Sequence, residues 1–289
     1  MPRYSPEQVR RRQITVGAVA VVLIALVVGC TAAVTGALRG GLGDGREAFQ
    51  ADDAAMRVDD TPDDARALSQ LPEGIELAEG EVMGIDVSSH QEEIDWDQVA
   101  SDGYAFAYIK ATEGAGFTDT HFEVNWEGAL AVGITPGAYH YFTLCSSGLA
   151  QARDFLEVAP PRDDVLPPAL DLEFDGACND RPPAAEAQAQ IDEFTAAVEE
   201  AWGRRLVIYS SREWREHYGL PVAEGRPDWL FSEGSRPGQE DWTVWQFRFD
   251  GDVSGIEGGV DIDVARIEVL RELAEIPPGE GALGHEVED

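Results

Sequence analysis

The chain has 289 residues, 44% of them hydrophobic, and its 55 acidic against 21 basic side chains give a net charge of −34. The apolar fraction supports a packed core and excludes wholesale disorder, while the length allows one or two domains. So negative a surface repels phosphate backbones, which argues against a nucleic-acid partner.

The charge is unevenly spread. Residues 1–39 carry five basic groups and one acid, and Arg10, Arg11 and Arg12 make residues 1–13 a basic leader. Residues 14–38 contain no charged side chain. At about 1.5 Å of rise per residue they are long enough to span a hydrocarbon layer of about 30 Å. The basic flank in front and the acids behind orient such a helix with its N-terminus in the cytoplasm and the body outside. Two other outcomes stay open. Val27-Val28-Gly29-Cys30 is similar to a lipobox ahead of an acylated cysteine, and the segment also suits a cleaved signal; all three export the body. Residues 39–81 are rich in Gly, Ala, Asp and Glu, and this composition predicts an acidic, disordered linker.

The folded body is expected over 82–272. Apolar, β-rich runs at 82–87, 104–111, 134–143, 166–174, 206–210, 228–231, 243–249 and 259–264 predict eight strands. Helical patterns fall at 120–132, 148–158 and 184–202, and in the last Ile191, Phe194, Val198 and Trp202 form an apolar stripe. Strand–helix alternation implies an α/β fold with parallel strands joined by crossover helices. The late strands are too close together for a helix each, and the body is shorter than the roughly 250 residues of a regular eight-fold barrel. A barrel with fewer helices near its C-terminal end fits best, with a doubly wound open sheet as the alternative. Residues 273–289, acidic and with Pro277-Pro278, read as a disordered tail.

Strand residues i and i+2 face the same way, so Asp171 and Glu173 in Leu170-Asp171-Leu172-Glu173-Phe174 share one face at the end of an apolar run. In a parallel barrel that end builds the active site. Gly84-Ile85-Asp86-Val87-Ser88 places a carboxylate on the first strand, and Val260-Asp261-Ile262-Asp263 places more on the last. These strands become neighbours when a barrel closes, which brings Asp86 to Asp261. Clustered acids raise one another's pKa and keep a carboxyl protonated for general-acid work, as glycoside hydrolysis requires. A Ca²⁺ or Mg²⁺ site is the weaker reading, since no dense loop of oxygen ligands is present.

The order Gly84-Ile85-Asp86-Val87-Ser88-Ser89-His90-Gln91, Tyr108-Ile109-Lys110-Ala111-Thr112-Glu113-Gly114 and Gly137-Ala138-Tyr139-His140-Tyr141-Phe142 resembles the glycoside hydrolase family 25 lysozymes. It continues through Leu166-Pro167-Pro168-Ala169-Leu170-Asp171-Leu172-Glu173, Ile208-Tyr209-Ser210, Trp245-Gln246-Phe247 and Val260-Asp261-Ile262-Asp263. The resemblance implies a flattened (β/α)5β3 barrel and an N-acetylmuramidase that cleaves the β-1,4 bond between N-acetylmuramic acid and N-acetylglucosamine in peptidoglycan. It implies Glu173 as catalytic acid and Asp171 as its assistant at the substrate's N-acetyl group or the transition-state charge. Asp86 and Asp261 would complete an acidic floor. Whether the second step uses the acetamido oxygen or an enzyme carboxylate stays open, with substrate assistance favoured because Asp171 and Glu173 share a strand. A non-catalytic glycan-binding envelope protein is the rival function. No cofactor or metal is implied, and the expected partners are glycan strands and, through the N-terminal segment, the membrane, with the protein acting as a monomer.

Tyr139, Tyr141, Tyr209 and Trp245 are the candidate sugar contacts, since aromatic rings stack on sugar faces. Lys110, the only lysine, ends an apolar strand and is expected in a buried salt bridge rather than in catalysis. His140 is expected to play a structural hydrogen-bonding part, with His90 as a lesser acid–base candidate. Cys145 and Cys178 follow neighbouring strands at the same barrel end, and export permits oxidation, so they are expected to pair. Cys30 is left over.

Overall fold

The computed structural model describes residues 56–277 apart from 175, 177, 220–223 and 239–241. Chain contacts divide the protein after Ala51, and every described residue belongs to the second unit, Asp52–Asp289. The apolar segment 14–38, Cys30 and the tail from 278 onwards lie outside the described residues. Among the described residues no helix is long and apolar enough to cross a membrane.

The strands are β1 (Glu81–Val87), β2 (Phe106–Glu113), β3 (Phe117–Thr118), β4 (Thr135–Tyr141), β5 (Ala169–Leu172), β6 (Val207–Ser210), β7 (Asp228–Phe231), β8 (Trp242–Gly251) and β9 (Val260–Arg266). The helices are α1 (Trp96–Ser101), α2 (Phe122–Ala131), α3 (Gly148–Val158), α4 (Ala184–Trp202), α5 (Arg212–Tyr218) and α6 (Ile267–Ala274). The sheet runs β1-β9-β8-β7-β6-β5-β4-β2-β3, and a further β1–β2 pairing closes it into an eight-stranded barrel with β3 as a hairpin on β2. Closure excludes the open doubly wound sheet. Helices α1 to α5 each lead to the next barrel strand, whereas among the described residues β7, β8 and β9 follow one another without a helix. This is the helix-poor C-terminal side expected from the strand spacing.

One departure matters for the site. β9 pairs antiparallel with both β8 and β1, while the other barrel pairings are parallel. The N-terminal end of β9, where Asp261 sits, therefore lies beside the C-terminal ends of its neighbours. A short β8–β9 connection permits only that direction, because a parallel return needs a crossover of a dozen or more residues.

Two apolar layers hold the barrel. Inside it, Val82, Phe106, Tyr108, Ala169, Val207, Val244 and Ala265 pack together. Outside it, Met83, Ile85, Ile109, Ile208, Trp245 and Phe247 belong to one apolar layer with Phe155, Ile191, Phe194 and Val198 of the helices. Strand burial on both faces is the mark of a parallel sheet covered by helices. Glycines make room for the interior rings: a Cβ on Gly84 would lie 2.3 Å from the Phe106 ring, and one on Gly137 2.5 Å from Tyr108. Side chains also fix the helix starts, with Asp95, Ser147 and Ser211 accepting from the backbone N–H of Gln98, Ala150 and Trp214.

Residues 56–81 correct the expectation of a disordered linker reaching to 81. Met56 is buried with the interior cluster, and Ala67 is buried in the outer one. Arg271 donates to the Met56 carbonyl at 2.8 Å, Thr135 Oγ1 to that of Arg57 at 2.7 Å, and the Met83 N–H to Thr61 Oγ1 at 2.8 Å. Arg66 pairs with Asp102 at 2.6 Å and Asp252 at 2.8 Å. The segment is a strap: residues 57–61 hold the starts of β1 and β4, opposite the carboxylates, and residues 66–70 reach the loop that follows β8. Its small, polar composition hid this, because backbone carbonyls and one arginine do most of the holding. At the other end of the body, α6 runs to Ala274 and Glu275 bridges Arg204, so order continues past the expected boundary at 272.

Candidate active site

Where β5 ends, Asp171 and Glu173 face the barrel axis, and Asp171 is hydrogen-bonded to Glu173. Both border a groove of about 230 Å³ together with Asp86, Asp261, Tyr139 and Tyr209. Asp86 and Asp261 stand opposite one another in the β1–β9 register. Around the closed barrel β5 is four strands from β9 in either direction. The Asp171–Glu173 pair and the Asp86–Asp261 pair thus rise from opposite walls.

Their electrostatics follow from crowding in a dry site. Burial, the neighbouring Glu173 and the hydrogen bond with it push Asp171 well above the carboxylate range, opposed by the charge of Lys110. Burial, then Asp261, Asp263 and Asp171, raise Asp86, while the Gln246 amide donating at 2.9 Å opposes the shift. Asp261 is pushed up to about 7 by burial and by Glu173 across the groove. Asp263 is fully buried and raised by burial and Asp261, with the Trp229 indole donating to its Oδ1 at 3.0 Å. The cluster retains protons near neutrality, the condition for general-acid chemistry.

Tyr139, Tyr141 and Tyr209 line the groove as expected, but Trp245 does not. Strand β8 turns Val244 and Gln246 inward and Trp245 and Phe247 outward. Trp245 is fully buried in the outer layer, where its Nε1 donates to the Ser232 carbonyl at 2.8 Å. The groove instead takes Gln246, Trp229 and Phe249, none of which the sequence reading selected. A signal for Gln246 was present. A glutamine between two aromatics in an apolar strand finds no polar partner under the helices, so it belongs on the inner face with the acids.

Lys110 borders the groove, pairs with Glu113 Oε2 at 2.6 Å and lies 4.7 Å from the Tyr141 ring centre, the salt bridge expected of it. His140 is fully buried. Its Nε2 donates to Gln151 Oε1 at 3.0 Å and its Nδ1 accepts from Thr112 Oγ1 at 2.7 Å. Burial lowers it to about 3, so it is neutral and structural. His90 is exposed at the groove rim. Cys145 and Cys178 are bonded, with Cα atoms 5.8 Å apart, and tie the loop after β4 to the loop after Glu173.

The family model for glycosyl hydrolases family 25 matches residues 85–256, ending just before the strand that carries Asp261. The chain is 35% identical over 191 residues to YegX of Escherichia coli strain K12, covering 63% of this chain and 69% of that protein. It is 37% identical over 194 residues to Lysozyme M1 of Streptomyces globisporus, covering 62% and 66%. The crystal structure of the bacterial lysozyme from Streptomyces coelicolor superposes with a TM-score of 0.60 at 34% identity, over 67% of this chain and 96% of that one. With the barrel and its groove carboxyls in view, the chain belongs to glycosyl hydrolases family 25 and is a glycoside hydrolase.

Proposed function

We propose that the protein is a muramidase that cleaves the β-1,4 bond between N-acetylmuramic acid and N-acetylglucosamine in peptidoglycan. The supporting observation is the Asp171–Glu173 pair, hydrogen-bonded and facing Asp86 and Asp261 across the groove. In this reading the Glu173 carboxyl gives its proton to the glycosidic oxygen as the C1–O bond breaks. The acetamido oxygen of the same sugar closes onto C1, and Asp171 orients and supports the acetamido N–H. Water then attacks C1 as the Glu173 carboxylate takes its proton, which releases the sugar with retained configuration. Two features favour this route over an enzyme nucleophile. Asp171 Oδ1 is buried and accepts no hydrogen bond among the described residues. Asp261, on the far wall, is raised to about 7 chiefly by burial, and a protonated carboxyl is a poor nucleophile.

The charge-free segment 14–38 would tether the enzyme outside the membrane, with residues 39–55 as spacer, and the enzyme would act as a monomer. Fractionation of cells expressing the full chain tests the tether; recovery in the medium alone overturns it. Digestion of purified peptidoglycan, with mass analysis of the products, tests the reaction. Reducing-end N-acetylmuramic acid in the wild type, reduced 10²- to 10⁴-fold or more in Glu173→Gln, is the expected result. New N-acetylglucosamine ends or free peptides would refute it.

A further inference from the structure

Only four large apolar side chains stand markedly exposed among the described residues; Phe249 lines the groove, and Phe117 lies next to Lys110, which lines it too. Phe249, 54% exposed, borders it at the end of β8 and stacks on Phe231 with ring centres 4.1 Å apart and planes 25° from parallel. Phe231 covers one face of the ring. Phe117, 46% exposed, stands on β3 above Lys110, whose Nζ is 6.0 Å from its ring centre. Its hairpin is pinned: the Gly116 N–H donates to Asp154 Oδ2 at 2.6 Å, and the Gly114 N–H to the Tyr141 carbonyl at 3.0 Å. An exposed ring on a rigid support beside a binding groove is unlike a scattered surface leucine, and it needs an occupant.

The strand order supplies a direction. β2, which carries the β3 hairpin, is four strands in either direction from β7, which carries Phe231, and Phe249 on β8, three strands from β2 by the shorter way, stacks on Phe231. The two aromatic rims therefore face each other along one diameter, and the two acid walls, on β5 and on β9 with β1, face each other along the diameter crossing it. We infer that a glycan strand lies along the aromatic diameter, one sugar stacked on Phe117 and another on Phe249, with the bond to be cut held between the acid walls. The rims then select extended strands over short fragments. This rests on the muramidase reading for the identity of the sugars.

Steady-state kinetics on glycan strands freed of peptides, sized as tetrasaccharides or as long strands, test the inference in the wild type, Phe117→Ala, Phe249→Ala and the double variant. Both rings are exposed, and unchanged thermal transitions verify folding. Each single substitution is expected to raise KM on long strands roughly two- to tenfold, the worth of one aromatic stacking contact. The change on tetrasaccharides should be smaller, kcat should move less than KM, and Phe249→Trp should keep the wild-type KM. Equal KM changes on both lengths, or none, overturn the inference. If the wild type cuts no glycan, the muramidase reading fails. The rims are then judged by binding of long strands: weaker binding in the double variant upholds them and equal binding refutes them.

Discussion

Four carboxyl groups line the groove and a fifth, Asp263, is buried next to Asp86 and Asp261, and their charges cannot all be present at once in so dry a site. The neutral partners therefore matter as much as the acids. Gln246 and Trp229 each spend an N–H on a floor carboxyl, Asp86 and Asp263 respectively. Trp229→Phe keeps an aromatic ring, though a smaller one, and removes the donor to Asp263, so kcat should fall several-fold and its pH profile should shift; an unchanged profile would show that the indole N–H plays no part. Trp245→Phe makes the same change on the outer face of the barrel, away from the groove. It removes a buried donor to the Ser232 carbonyl and some volume from the outer core, at a cost of about 1–3 kcal/mol. Denaturant unfolding should show that loss while kcat stays within about twofold. The acids were legible because an i, i+2 pair at the end of an apolar run is rare and purposeful. The aromatic partners were not, since a tryptophan suits either face of a strand buried on both sides, and only the polar Gln246 marks which face of β8 looks inward.

Among the elements, the strap and the disulfide do similar work, each tying separate parts of the barrel together. A chain beginning at residue 72 would uncover the site of Met56 and leave Asp102 without Arg66. Its thermal midpoint should drop on the order of 5–10 °C, corresponding to a few kcal/mol for a domain of this size; an unchanged midpoint would mean that the strap merely rests on the barrel. The Cys145–Cys178 bond joins residues 33 apart, and Cys145→Ser should lower unfolding free energy by about 2–4 kcal/mol. Because Cys178 follows Glu173 in the same loop, activity should fall further than stability alone explains. All eight barrel strands and the three longest helices were visible as periodic apolar patterns. Helices α1, α5 and α6 were not, because six to eight residues give too few turns for a period to emerge. The strap has no period at all, and only its tertiary partners reveal it.

For the whole molecule, the raised carboxyls link stability to pH. Asp86, Asp171, Asp261 and Asp263 all bind protons more tightly when folded than when unfolded. Their contribution is complete below the ordinary carboxylate range near 4 and is lost as pH rises, for Asp261 through about 7. The thermal midpoint should therefore fall between about pH 4 and pH 7. The repulsion within a chain of net charge −34 acts in the same direction, so the discriminating measurement is Asp261→Asn. That variant should show a shallower fall and gain relative to the wild type above pH 6; a parallel curve would place the pH dependence on the surface.

The antiparallel closure by β9 has a consequence in time. Asp86 lies on the first barrel strand and Asp261 on the last, and they meet only when the ends of the domain are zipped together. During synthesis, Asp86, Asp171 and Glu173 all leave the ribosome well before the strand that completes their floor. A nascent or prematurely terminated chain lacking residues beyond 259 has an open sheet and lacks Asp261 and Asp263, leaving Asp86 alone on the second wall, so full cutting activity is expected only once β9 is in place.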